Sequence, residues 1–367
     1  MERSQISNRQ LMILITLITI SSPIFFLPSE VSKGVGRDGW YIVIFSGLIG
    51  MFNVMIFIWL ERIFPKKSLI QIIQGVFGRF VGGIVNVLMF FYFIDVGSWV
   101  LREFAEFLLA NIEPTTPLFV YLIIGIGMAA YAVSCGLGTF ARVSEVIFPI
   151  PILTYISIFL LTLNLFHFEY LLPALENGFI KPLSHSLSTI TFLGDVICVS
   201  MIINYVKTTK RTAFYALTGM GITVILFLLA VLSSVLVMGA ESTAKQTYPI
   251  LSLISNISIG GILDRFDVLV VAFWMIALFV KITSYLWAST EAACQIFSIK
   301  DRRYIIIPIL LVYIVSARYK VDGYVDLSTF YSTHAMYFLT FQAIVPLFIL
   351  LSSLLKQKWK RGKAVTS

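Results

Sequence analysis

Charge is what this sequence has least of. Only 13% of its 367 residues are Asp, Glu, Lys or Arg, about half the share of a soluble domain. A soluble globular class is excluded on that ground, and no polar stretch is long enough to bury a core of its own. Proline is scarce at 12 residues while 14% of residues are aromatic, which excludes a disordered or fibrous chain. The three cysteines (Cys135, Cys198, Cys294) have no C-x-x-C spacing, so neither a disulfide framework nor a metal site is expected. The three histidines (His167, His185, His334) stand singly. There is no H-E-x-x-H spacing, P-loop or Gly-rich dinucleotide fingerprint. No metal, no cofactor and no catalytic constellation is expected, and an enzyme is the least favoured class.

What is present is apolar length. Apolar residues make up 58% of the chain and the mean hydropathy is +0.92. The reading is an all-α integral membrane protein. Ten segments qualify as spans 1 to 10: roughly 9–32, 39–61, 80–110, 117–134, 143–166, 182–206, 212–239, 266–297, 303–318 and 335–355. The first is too long for a cleavable signal and is followed at once by another span. The whole chain, 1–367, reads as one transmembrane domain with a basic tail over 356–367.

The net charge of +8 reads as topology, with no nucleic-acid partner expected. Eighteen Lys and Arg fall on the side of the termini and eight on the other, with Lys281 inside a span. That bias places both termini in the cytoplasm. Residues 68–80 are amphipathic and are expected along the inner face. The connection 241–267 carries an apolar stretch over 248–254 and is expected to pack over the outer mouth.

Two spans carry breaks. Span 1 is interrupted at Ser21-Ser22-Pro23, where the proline ring clashes with the carbonyl of Thr19. Span 6 is interrupted at Leu193-Gly194-Asp195, where glycine permits an altered backbone beside a costly aspartate. If the ten spans divide five and five, about 9–166 and 182–355, each break opens a half. Five is odd, so the second half runs inverted. Discontinuous helices in corresponding places of an inverted repeat point to a ligand site near the midplane. The expected ligand-binding residues are Ser21, Ser22, Pro23 and Ile24 with Leu193, Gly194 and Asp195. A half-helix N-terminus offers N–H groups to an anion. Asp195 and the half-helix C-termini offer negative charge to a cation. A zwitterion the size of an amino acid fits that pair.

Three ionisable residues lie near mid-span: Asp95, Asp195 and Lys281. Each costs roughly 2.5–3.5 kcal/mol at a helix centre. Lys281, Asp95 and Ser284 therefore mark a cation site or an ion pair, with the lysine's partner left open between Asp95, Asp195 and neither. An ammonium reaching the broken part of span 1 would stand where a cation binds, which favours proton coupling or none. Ser98, Arg102 and Glu106 follow Asp95 on one helix face, with Trp99. That face is either an access path or a buried, salt-bridged seam.

Four stretches then give a resemblance. They are Leu27-Pro28 with Gly36-Arg37-Asp38-Gly39-Trp40; Pro65-Lys66-Lys67-Ser68-Leu69; Arg102 and Glu106 running into Pro114-Thr115-Thr116-Pro117; and 136–145, Gly-Leu-Gly-Thr-Phe-Ala-Arg-Val-Ser-Glu. Together they resemble the B-subunits of bacterial spore germinant receptors, spore permeases of the amino acid–polyamine–organocation superfamily. Gly138 and Glu113 depart from the common pattern. The resemblance implies a LeuT-type fold of ten helices used as a nutrient sensor in the spore inner membrane. It implies a small-molecule germinant, commonly an amino acid, a membrane-anchored A-subunit and a lipoprotein C-subunit. The alternatives are an amino-acid transporter, proton-coupled or uncoupled, and a membrane scaffold or water and ion pathway with a vestigial pocket.

Overall fold

The structure is a computed structural model and describes residues 5–176, 178, 183, 185–255, 266–320 and 333–365. All ten apolar segments appear in it as helix. Among the described residues, six helices are long and apolar enough to cross a membrane by length and composition, including Leu27–Ile63, Leu69–Asn111 and Thr212–Met238. The surface is inverted relative to a soluble protein. Leu48, Phe80, Val146, Leu153, Leu160 and Phe348 lie outside, while Thr16, Ser22, Asp195, Lys281 and Gln342 are buried. Apolar outside and paired polar groups inside is the distribution a bilayer solvent imposes.

Span 1 is Asn8–Ile20 followed by Leu27–Val35, and span 2 is Gly39–Ile63. Ser7 caps span 1, with Gln10 closing a capping box. Ser68 and Gln71 repeat that device at the start of Leu69–Asn111. This 43-residue helix folds at Gly78, whose φ of 79° is open to glycine. The short arm before Gly78 lies back on span 3, held by Asn86 Nδ2 donating to Ile70 O at 3.1 Å. The amphipathic stretch expected on the inner face is this arm.

Span 4 is Leu118–Ser134. Span 5 starts earlier than its apolar run, at Leu137, because the turn after Gly136 already lies in helix. It is split between Leu137–Ile147 and Pro149–Thr162 by Pro149. Span 6 is Leu187–Gly194 and then turns of 3₁₀ helix, span 7 Thr212–Met238, span 8 Phe266–Ile296 and span 9 Arg303–Tyr319. Span 10 is Ala335–Leu339, a π-turn over Thr340–Ile344, and Val345–Val365.

The packing exchanges halves. Span 1 lies on span 7 as span 6 lies on span 2. Span 4 lies on span 8 as span 9 lies on span 3. Span 5 touches spans 1, 7 and 8, and span 10 touches spans 6, 2 and 3. Adding five to each number maps one set of contacts on the other, which is the 5+5 inverted repeat. Small residues bring the backbones close. A Cβ on Gly219 would lie 2.6 Å from Met12 O, and one on Gly47 2.7 Å from Val224 Cγ2. Thr19 and Thr223 join spans 1 and 7 by a 2.8 Å hydroxyl contact.

Candidate functional site

Both breaks fall where the residues place them. In span 1 the α-helix ends at Ile20, and Pro23–Phe25 form one 3₁₀ turn before Leu27. Ser21, Ser22, Pro23 and Ile24 are all buried. Ser21 and Ser22 keep right-handed backbone angles, so the break is a tightened turn rather than an unwound stretch. In span 6 the α-helix gives way at Asp195 to seven residues of 3₁₀ helix, Asp195–Met201. Such a run exceeds the three or four residues usual for 3₁₀ and marks a hinge or a strained segment.

Asp195 is the hub. Lys281 Nζ donates to its Oδ2 at 2.5 Å, and Tyr285 OH donates to its Oδ1 at 2.6 Å. Gln342 Nε2 reaches the same Oδ1 at 3.3 Å. The Lys281 side chain is 0% exposed and that of Asp195 3%. An ion pair this dry survives only with its remaining lone pairs satisfied, which Tyr285 and Gln342 do. Spans 6, 8 and 10 are thereby tied together beside the span 6 break.

Gln342 sits in the π-turn of span 10. The turn frees its carbonyl, which Asn53 Nδ2 of span 2 takes at 2.9 Å. Its side chain lies over Gly194: a Cβ there would come within 2.6 Å of Gln342 Cδ. π-turns within α-helices collect at functional sites. The opening beside Gly194, lined by Gly50, Asn53 and Gln342, holds about 10 Å³, the lower limit for one water.

The two residues grouped with Lys281, Asp95 and Ser284, bond elsewhere. Asp95 is bound to Lys320 and receives Tyr337 OH at 3.3 Å. Lys320 Nζ also lies 5.0 Å from the Trp99 ring centre. Burial pushes the Lys320 ammonium down, against the pull of Asp95 beside it. Asp95 thus meets a lysine entering past the end of span 9, and Lys281 is left to Asp195. Ser284 Oγ donates to its own helix at Val280 O. From span 8 it is Trp274 that reaches the span 1 break, its indole N–H donating to Ser21 O. The Lys281 ammonium meets Asp195 of span 6 as a buried ion pair.

The Arg102 and Glu106 face is a seam. Arg102 Nε donates to Glu106 Oε1 at 2.7 Å, and Nη1 donates to Ala317 O and Arg318 O at 2.9 and 3.0 Å. It caps the last carbonyls of span 9, where a cation suits the helix dipole. Ser98 Oγ turns back to Ile94 O.

Glu103, one position along from Arg102, was absent from that reading. It is 3% exposed, and neither carboxyl oxygen has a hydrogen-bond partner. The Ser22 hydroxyl lies beside it, and Lys281 and Asp195 act on it electrostatically.

Among the described residues, contacts cross both ends of this core. Away from the termini, Trp274 stacks on Phe25 at 4.3 Å, with Phe107 edge-on at 4.6 Å from the indole and Tyr248 at 5.2 Å from Phe107. Pro249–Ser255 packs on Pro23–Phe25 and on spans 7 and 8, and 256–265 lie outside the described residues. At the end holding the termini, Ile6 pairs in parallel with Val206. Ile6 N donates to Tyr205 O and Lys207 N to Ile6 O, both at 3.0 Å. Tyr205 OH donates to Glu291 at 3.0 Å, and Arg302 lies 4.3 Å from the Trp287 ring centre.

Residues 5–325 match the family described as spore germination protein, or spore permease. The chain belongs to the spore permease family. It is 27% identical to spore germination protein KB of Bacillus subtilis over 365 residues, covering 98% of this chain and 97% of that one. It is 23% identical to YndE of the same species, over 87% of this chain and 89% of the relative. Spore germination protein A2, also of B. subtilis, is 26% identical over 75% of this chain and 76% of its own length.

The fold of this spore permease is that of solved transporters. Mhp1, a nucleobase-cation-symport-1 family transporter solved closed with bromovinylhydantoin bound, has a TM-score of 0.69 at 12% identity. The match covers 95% of this chain and 78% of Mhp1. A manganese transporter mutant of Eremococcus coleocola has a TM-score of 0.60 at 15% identity, covering 94% and 78%. At such identities the likeness is one of fold: a LeuT-type, APC-like bundle with broken spans 1 and 6. Among the described residues, no group of three or more His, Cys, Asp and Glu is placed to hold a metal.

Proposed function

We propose that this spore permease is the nutrient-sensing subunit of a germination receptor, binding a small germinant, an amino acid, between the breaks of spans 1 and 6. The carrying observation is the buried Asp195–Lys281 pair, which ties the broken span 6 to spans 8 and 10 in a member of a germination family. A charged pair in a bilayer core is retained where it serves a site or a switch. A zwitterion carries a carboxylate that can compete with Asp195 for Lys281. With contacts across both ends, the paired state is one of two arrangements. A ligand that binds the parted state more tightly shifts the population toward it.

On this proposal the protein is a non-catalytic, multi-pass component of the spore inner membrane with both termini in the cytoplasm. A membrane-anchored A-subunit and a lipoprotein C-subunit read the shift. The chain acts as one transmembrane domain. The test is germination of spores lacking the gene, against single amino acids and sugars. Loss of one response, restored by the intact gene and not by Gly194→Leu, supports the sensor. Unchanged responses to every nutrient count against it.

A second reading, an amino-acid transporter, is favoured by the transporter fold of Mhp1 and its kin. Uptake of a bound amino acid into proteoliposomes, with or without a proton gradient, would establish it.

A further inference from the structure

Charge in the buried core does not balance. Lys281 and Asp195 cancel as a pair. Tyr285 and Gln342 complete the coordination of Asp195, so this carboxylate has no free face for a ligand cation. Glu103 remains, with both oxygens unbonded and the residue 3% exposed. Beside it the Ser22 hydroxyl, fully buried, also lacks a partner. A buried carboxyl with at most one hydroxyl to serve its two oxygens is among the costliest groups a core can hold. Replacing it with Leu would remove that cost, so its place in the core points to work done with a ligand.

We propose that Glu103 and Ser22 form the ammonium-binding pole of the ligand site, which assigns the ligand to small molecules bearing a primary amine. The assignment rests on the sensor reading above and deepens it. Span 3 supplies the carboxylate and the span 1 break supplies the hydroxyl, so one ligand group bridges two spans. An ammonium has three donors and no acceptor. It can give two to Glu103 and one to Ser22, which leaves the ligand's acidic group to compete with Asp195 for Lys281. Its charge cancels the uncompensated carboxylate. The cost of the poorly paired Glu103 is released on binding, and that difference between states is what a switch requires.

The test is calorimetric titration of the full chain in lipid nanodiscs. Each of the twenty amino acids is tried, and any that binds is compared with its 2-hydroxy acid, in which a hydroxyl replaces the amine. Wild type is expected to bind an amino acid and reject the hydroxy acid. Glu103→Gln, nearly the same shape, is expected to weaken the amino acid roughly 10- to 150-fold, the loss of hydrogen bonds to a charged group. Ser22→Ala, a small change at a turn, is expected to weaken it less. Thermal unfolding of both variants shows whether each is folded. Amino-acid binding by Glu103→Gln within about twofold of wild type overturns the assignment while leaving the sensor reading intact. Equal binding of the hydroxy acid by wild type also overturns it. If Glu103→Gln keeps its affinity but loses a pH dependence seen in wild type, the carboxyl holds a proton instead, and the ammonium pole is wrong. A wild type that binds no amino acid removes the ligand class proposed for the sensor itself, a failure read before any variant is made.

Discussion

Lys281 Nζ and Asp195 Oδ2 meet at 2.5 Å across spans 8 and 6, and neither side chain exposes more than 3% of its surface. Removing one partner leaves the other charged and alone in an apolar core. Asp195→Asn is expected to cost about 3–5 kcal/mol of stability, and Lys281→Met a similar amount. The double variant Asp195→Asn, Lys281→Met is expected to recover most of that loss, because no charge is then stranded. Thermal unfolding in detergent measures all three. Losses that simply add in the double variant would show that the pair is not coupled.

Gly194 is where Gln342 packs. Gly194→Ala places a methyl within 2.6 Å of Gln342 Cδ, an overpacking expected to cost about 1–3 kcal/mol. Gln342→Ala in the same chain opens that space and is expected to recover the packing part of the loss. The readout is again the unfolding midpoint. If the second change brings no relief, contact with Gln342 is not what excludes a side chain at Gly194.

The same contact shows what the residues disclose in advance. Ten apolar runs of spanning length revealed the spans, because a bilayer leaves little else for such runs to do. Pro23 and Gly194 revealed the breaks, because each alters the backbone locally. Gln342 was illegible: it works through a π-turn that shifts register by one residue, and no periodicity reports that. Trp274 looks like an ordinary member of an apolar helix. Glu103 was overshadowed by Arg102 and Glu106, whose i, i+4 spacing drew the polar stripe one position away from it. Asp95 looked mid-span by counting, yet Lys320 reaches it because a lysine stem can lie along apolar surface and deliver its charge some way in.

Trp274 closes the core at the end away from the termini. Its indole N–H donates to Ser21 O while its ring stacks on Phe25. Trp274→Phe keeps an aromatic ring and removes the donor, leaving a buried carbonyl unpaired at about 1–3 kcal/mol. The closed state is expected to yield to one in which the break is wet. With Cys135, Cys198 and Cys294 replaced, a cysteine introduced by Ser22→Cys should react faster with a water-soluble thiol reagent. The expected acceleration is about tenfold for each 1.4 kcal/mol transferred to opening. An unchanged labelling rate would mean that Trp274 does not hold this end shut.

At the opposite end the closure is backbone. Ile6 gives its N–H to Tyr205 O and takes Lys207 N–H, which fastens the segment before span 1 to the end of span 6. Proline tolerates extended geometry but has no N–H, so Ile6→Pro removes one of these bonds and keeps the other acceptor in place. One backbone bond contributes about 0.5–1.5 kcal/mol net. If the paired, closed state competes with the ligand-binding state, weakening it raises the competent fraction and hence the apparent affinity. The variant is therefore expected to respond at roughly two- to tenfold lower germinant concentration. Dose-response curves of spores carrying each form measure this. A shift to higher concentration would reverse the assignment, since the Ile6–Tyr205 bond would then belong to the state that binds ligand.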